Sequence, residues 1–271
     1  MLRSFYPNSD ILFCGQVYLP SMEAMIIKNV VKLQFMKEAV FDFEWLKVRG
    51  RDVEVTFNQF DSLFLYGLPQ LTHIWWMVPK EFQGFKNLSW LIIKKCHSLR
   101  YLLSPTVVKL LVNLQELGVM DCEAMEEIIS MEQDGSKTNV VEEMAMDKIV
   151  FSQLRHLNLV DLENLTVFCS GKYECQFPSL NSVVIRNCTE MKNFCSGPIC
   201  TPKLERENVK IGKQEVWMGD LNTTIQCADS SFIEKDEDED EDREIQKMRI
   251  RMELKMMKME MKVMEMKMKV Q

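Results

Sequence analysis

The sequence is short of the residues that catalysis and metal binding use most. Among 271 residues there are only three histidines, His73, His97 and His156, and they are scattered. No Ser, Cys, Asp or Glu is spaced near them in a pattern that suggests a nucleophile–base pair. The phosphate-cradling pattern G-x-x-x-x-G-K-[S/T] is missing, so no nucleotide site is expected. Long apolar runs are missing too. No stretch approaches the ~20 residues of a membrane-spanning helix. Residues 1–20 lack a charged start followed by an apolar run, so no secretory signal is read there and a cytoplasmic location is expected. Glycine (10) and proline (8) are sparse, which excludes collagen-like and low-complexity Pro/Gly chains. A net charge of −7 argues against a general nucleic-acid binder, whose footprint is a basic patch.

Nine cysteines are an odd number, so intrachain disulfides cannot use them all. In a reducing compartment they stay thiols. The charge is uneven. Residues 234–244 contribute −7, residues 245–271 contribute +5, and the remaining body carries −5. Body and tail therefore need separate readings, with the division at 227/228.

The body repeats itself. A register with apolar residues at offsets 0, 3, 5, 8, 11 and 14 fits six segments without exception. Leu88, Leu91, Ile93, Cys96, Leu99 and Leu102 make one of them. Leu114, Leu117, Val119, Cys122, Met125 and Ile128 make the next. The same register starts at Leu154 and Leu180 downstream, and at Met22 and Phe60 upstream. With 46% hydrophobic residues, thirty-six matches by chance is on the order of one in a trillion, before allowing for freedom of register.

Offsets 3 and 5 have the strand period, so both side chains share one face. Offsets 11 and 14 lie three apart, as on a helical or 3-10 return. Each unit should make one short strand and one irregular or helical return, and stacking the units buries what one alone leaves exposed. Register starts are 26 residues apart from Leu88 to Leu114 and from Leu154 to Leu180, and 28 apart from Phe60 to Leu88, inside the leucine-rich-repeat range. The expected fold is thus α/β, a leucine-rich-repeat solenoid over residues 1–227 with seven to eight units. The 40-residue step from Leu114 to Leu154 places an insertion at Ser130–Lys148. Phe43, Leu46 and Val48 start a degenerate unit. Leu204, Val209 and Ile211 look like a terminal unit, with Glu207 where an apolar residue is expected. Leu2 and Phe5 are spaced like offsets 11 and 14, so the sequence reads as beginning inside a repeat.

The wording of these units resembles the C-terminal leucine-rich-repeat region of plant coiled-coil nucleotide-binding disease resistance proteins. The similar segments include LPQLTHIW (68–75), FKNLSWLIIKKCHSLRYLLSP (85–105), LVNLQELGVMDCEAMEEII (111–129), DKIVFSQLRHLNLVDLENL (147–165) and FPSLNSVVIRNCTEMKNFCSG (177–197). MGDLNTTIQ (218–226) looks like the segment that closes such regions. The resemblance implies the sensing end of an immune receptor, separated from its nucleotide-binding module. Its ligand would be a pathogen effector, a host target or another receptor domain. No cofactor, metal, nucleic acid, membrane or small-molecule substrate is implied, and no enzyme activity. Two alternatives remain at this point: a substrate-recruiting adaptor of a ubiquitin ligase, although no F-box precedes the repeats, and a truncated receptor remnant.

Residues at offsets 2, 4, 6 and 7 should line the concave strand face. The candidate protein-binding residues there are Trp45, Phe64, Tyr66, Trp90, Ile92, Lys94, Lys95, Glu116, Met120, Asp121, His156, Asp161 and Arg186. Cys96, Cys122 and Cys188 at offset 8 read as core thiols with a local hydrogen bond. Cys169 and Cys195 share a repeat position. Cys175 and Cys200 are placed in loops without a role. In the tail, Asp-Glu alternation gives way to Met-Lys-Glu alternation. One six-base repeat, GATGAA, encodes Asp-Glu in one frame and Met-Lys in the next, so the tail reads either as a simple-sequence expansion or as a selected acidic-basic interaction segment. The acidic run should be disordered, and the Met/Lys stretch helical but undocked.

Overall fold

The computed structural model describes residues 61–75, 85–130, 148–212 and 217–228, the backbone of 24–28, and Ile250 and Leu254. The degenerate unit at 43–54, Trp45, most of the insertion, the start of the chain and the rest of the tail lie outside these residues.

Among the described residues, seven parallel strands form the main sheet. They are β1 (Ala24–Lys28), β2 (Ser62–Tyr66), β3 (Trp90–Lys94), β5 (Glu116–Met120), β8 (His156–Val160), β11 (Ser182–Arg186) and β13 (Val209–Ile211), paired in that order. Strand β1 pairs directly with β2, Met25 opposite Leu63 and Ile27 opposite Leu65. Offsets 3 and 5 align from strand to strand, as Leu91, Leu117, Leu157 and Val183 do. Parallel stacking in a common register delivers each residue beside its counterpart one turn later, and the longer steps are taken up outside the strands.

Every register position from Leu63 to Phe194 is at most 3% exposed. Each such side chain contributes ~1.5–3 kcal/mol on burial, and the conformational entropy of ordering the chain largely offsets the sum. A further core position precedes the register by three residues: Phe85, Leu111, Phe151 and Phe177, all at most 2% exposed. Their carbonyls accept the tight-turn hydrogen bonds of Leu88, Leu114 and Leu180 at 3.1–3.3 Å. In the later turns this position meets offset 14 in an aromatic stack. Phe151 lies flat on Phe177 (5.5 Å, 5°) and Phe168 on Phe194 (4.6 Å, 9°), with edge contacts between the two pairs.

The returns differ from the expected helical or irregular segments. Offset 14 lies in short strands, β4 (Tyr101–Leu103), β6 (Glu127–Ile129) and β9 (Val167–Cys169), which pair into a second parallel sheet. A third sheet joins β7 (Lys148–Val150), β10 (Glu174–Gln176) and β12 (Ile199–Cys200). Cys175 and Cys200 therefore sit in strands, not loops. The reason is stacking: an extended return finds an identical extended return one turn away, and its backbone groups pair there instead of within a helix. Among the described residues, the α-helix in a return is α1 (Pro105–Val108), with Pro105 as its first residue and the Ser104 hydroxyl accepting from Val107 N at 3.3 Å.

A 3-10 turn at Arg206–Asn208 corrects the terminal unit. It adds two residues, so Val209 rather than Glu207 aligns with Val183, and Glu207 is exposed. Helix α2 (Leu221–Ala228) then closes the stack by burying Leu221, Ile225 and Ala228. Its start is fixed by Asp220, whose carboxylate accepts from Thr223 N at 2.9 Å and Thr223 Oγ1 at 2.6 Å.

Candidate functional site

The sheet face turned away from the core carries three ladders. Offset 2 aligns Ser62, Trp90, Glu116, His156 and Ser182. Offset 4 aligns Phe64, Ile92, Gly118, Asn158, Val184 and Lys210. Offset 6 aligns Tyr66, Lys94, Met120, Val160 and Arg186. Neighbours in a ladder stand ~4.8 Å apart, so twelve of the thirteen candidates lie on one surface or its edge. Trp45 lies outside the described residues.

The structure divides these candidates. Phe64, Ile92 and Met120 are 2%, 1% and 4% exposed and pack with Val160 and Val184 into a second, smaller apolar cluster. Trp90 packs against it and is half-buried. Glu116, 2% exposed, places a carboxyl between Trp90 and His156. Tyr66, Lys94, Asp121, His156, Asp161 and Arg186 are half-buried, and Lys95 is exposed.

Offset 7 behaves differently from the ladder positions. Lys95, Asp121, Asp161 and Asn187 all have left-handed backbone, with φ between 51° and 56°. This φ ends each strand and turns the chain toward the buried offset-8 residue. Asp and Asn tolerate it well, and Gly67 supplies it in the first described unit. The turned N–H groups of Lys95, Asp121 and Asp161 donate to Met120, Val160 and Arg186 carbonyls at 2.9–3.1 Å.

Along the strand ends this geometry builds a charged ridge. Lys94 Nζ lies 3.4 Å from an Asp121 carboxylate oxygen. Asn187 Nδ2 donates to Asp161 at 2.7 Å. Lys95 Nζ stands 5.9 Å from the centre of the Tyr66 ring, a cation–π distance. Burial raises the Asp161 carboxyl above the ordinary aspartate range, opposed by the Asn187 hydrogen bond and reinforced by Asp121. The ridge runs from basic (Lys94, Lys95) to acidic (Asp121, Asp161) and back to basic (Arg186), which suits a ligand with a complementary pattern.

Behind the ridge, Cys96, Cys122 and Cys188 are fully buried. Their thiols donate to the carbonyls of Lys94, Met120 and Arg186 at 3.7, 3.2 and 3.5 Å, as the repeat position implies. Burial pushes the Cys188 thiol up to about 12, so it stays protonated and inert. Among the described residues, no group of three or more His, Cys, Asp or Glu is arranged to hold a metal. No described helix is long and apolar enough to cross a membrane.

Two overlapping stretches, residues 13–123 and 105–204, match the family described as plant disease resistance protein RPS2-like, leucine-rich repeats. No curated protein and no solved structure matches the chain. The family match covers most of the chain, so the chain belongs to the RPS2-like leucine-rich-repeat family of plant disease resistance proteins.

Proposed function

We propose that the solenoid is a protein-recognition module of plant defence. It binds an effector, host target or receptor domain through the strand-end ridge and the adjoining Trp90. The observation that carries this reading is the ridge itself. Tyr66, Lys95, Lys94, Asp121, Asp161 and Arg186 follow one another along the strand ends as an aromatic ring, a basic pair, an acidic pair and an arginine. Interfaces are enriched in aromatic residues and Arg, and complementary charge sets specificity and on-rate. The buried trio Phe64, Ile92 and Met120 supports the ridge from below, and the ligand contacts come from the residues above it. A leucine-rich-repeat solenoid is typically an interaction module rather than an enzyme, and the family assignment supports a recognition role in defence.

A pull-down from plant extract tests this with three forms of the chain. They are the unaltered protein, Trp90→Ala with Lys94→Glu and Lys95→Glu, and a deletion of residues 131–147. Loss of partners in the ridge variant, with retention in the deletion, is the expected result. The reverse pattern would move the binding surface to the insertion.

A further inference from the structure

Three buried thiols meet where the two small sheets adjoin. Cys169 ends β9 and bridges to Cys195 one turn later, while Cys175 sits at the centre of β10. All three are at most 2% exposed. The Cys195 thiol lies 3.2 Å from Cys175 Sγ, and Cys169 also hydrogen-bonds to Cys175. The repeat explains Cys195 beside Cys169, which are 26 residues apart. It does not explain Cys175, whose ladder neighbours are Ile149 and Ile199. A third thiol has been brought to the pair from a different strip.

The contact is held by backbone. Cys175 N donates to Pro198 O at 2.8 Å, and Ser196 N donates to Cys169 O at 3.1 Å. Asn222 of α2 clamps Cys195 from both sides, accepting from its N–H at 3.0 Å and donating to its carbonyl at 3.0 Å. Gly197 lets the two segments approach, because a Cβ there would collide with the Tyr173 carbonyl.

We propose that Cys175 and Cys195 are a redox-responsive pair that hydrogen peroxide converts to a disulfide, fastening the β7–β10–β12 ladder to the last turn of the solenoid. One thiol loses its proton and attacks a peroxide oxygen. The O–O bond breaks, the released hydroxide takes a proton to leave as water, and the sulfur becomes a sulfenic acid. The second thiol then attacks that sulfur, giving the S–S bond and a second water. Two thiols are oxidised by two electrons, and one peroxide is reduced to two waters. The sulfurs need to close by only about 1 Å to reach bonding distance.

Hydrogen bonding among the three thiols, with burial after it, leaves Cys169 and Cys175 well above the ordinary thiol range, so little thiolate exists in the closed fold. The reaction therefore waits on local opening. Strand β12 is only two residues long, and Ser170 and Ser196 next to the thiols are exposed, which makes this edge the place to open. The pair responds to sustained oxidant rather than to a brief pulse.

The test uses the full chain treated with hydrogen peroxide, quenched with an alkylating agent and mapped as unreduced peptides. A dominant Cys175–Cys195 cross-link is expected, with a higher urea midpoint that dithiothreitol reverses. Cys195→Ser should lose both effects, whereas Cys200→Ser with Cys227→Ser, which removes two exposed thiols, should keep both. If Cys195→Ser does not fold, as circular dichroism would show, the peptide map of the unaltered chain decides alone. The proposal is overturned if oxidation joins other cysteines preferentially, or if Cys175 and Cys195 are recovered as thiols in the folded protein.

Discussion

The two faces of the main sheet are built from the same strands under different rules. On the inner face, offsets 3 and 5 carry only Leu, Ile and Val from β2 to β11, and each is at most 3% exposed. On the outer face, the offset-4 ladder runs Phe64, Ile92, Gly118, Asn158, Val184 and Lys210. The inner face must fill a shared interior, where a change of one methylene is felt by the turns above and below. The outer face meets no such partner in every turn, so its chemistry varies and can encode recognition. Sharing one backbone, the inner face sets where the outer side chains stand.

The sharpest way to break this comparison is Leu157→Asp. It places a carboxylate among apolar side chains in the middle of the stack, and a loss of more than about 4 kcal/mol is expected in urea unfolding. An unchanged midpoint would refute the register. Phe177→Ala should cost about 3–5 kcal/mol, because it empties a position stacked on Phe151 and edge-on to Phe168 and Phe194. A cost near that of an exposed residue would mean the aromatic stack is not the packing centre of the later turns.

On the outer face the effects shrink and become pH-dependent. The Asp161 carboxyl is raised in the folded protein, so folding favours its protonated form. Its contribution is fully present below the ordinary value of 3.8 and is lost as pH rises through the raised folded value. Asp161→Asn should therefore match the parent protein below that window and exceed it slightly at neutral pH, where urea midpoints compare them. Asparagine also tolerates the left-handed backbone at this position.

The smallest effect belongs to Arg100→Ala. Arg100 grips Glu126 with two hydrogen bonds of 2.8 Å on the exposed side of the returns. That guanidinium holds the Glu126 carboxyl below its ordinary 4.5. The stabilisation is present above that value and fades as pH falls through the lowered one. Exposure and salt screening limit it to about 0.2–1 kcal/mol. Urea midpoints of variant and parent should differ at pH 7 and converge at low pH.

Much of this was legible in residue order. The 0, 3, 5, 8, 11, 14 register named the inner residues, the offset-8 thiols and the strands, because one period places each residue over its counterpart. The position three before the register was equally periodic in Phe85, Leu111, Phe151 and Phe177, and extending the register backwards would have found it. The left-handed turn at offset 7 also had a signal, in the Gly, Asp and Asn that recur there. Glu207 was misplaced because a 3-10 turn shifts the frame by two residues, and three polar residues, Arg206, Glu207 and Asn208, carry no periodic mark.

What the sequence determined by itself was the solenoid: a repeated apolar spacing has one way to bury itself, by stacking on its own copy. Tertiary structure decided what the spacing leaves open. It set the pairing of returns into strands instead of helices, since that outcome depends on a neighbour rather than on local propensity. It divided the outer face into a buried apolar cluster and an accessible ridge, since exposure depends on what stands on adjacent strands. It also brought Cys175 to Cys195, twenty residues apart and out of register with each other, because only the coil's path fixes which strips of different turns touch.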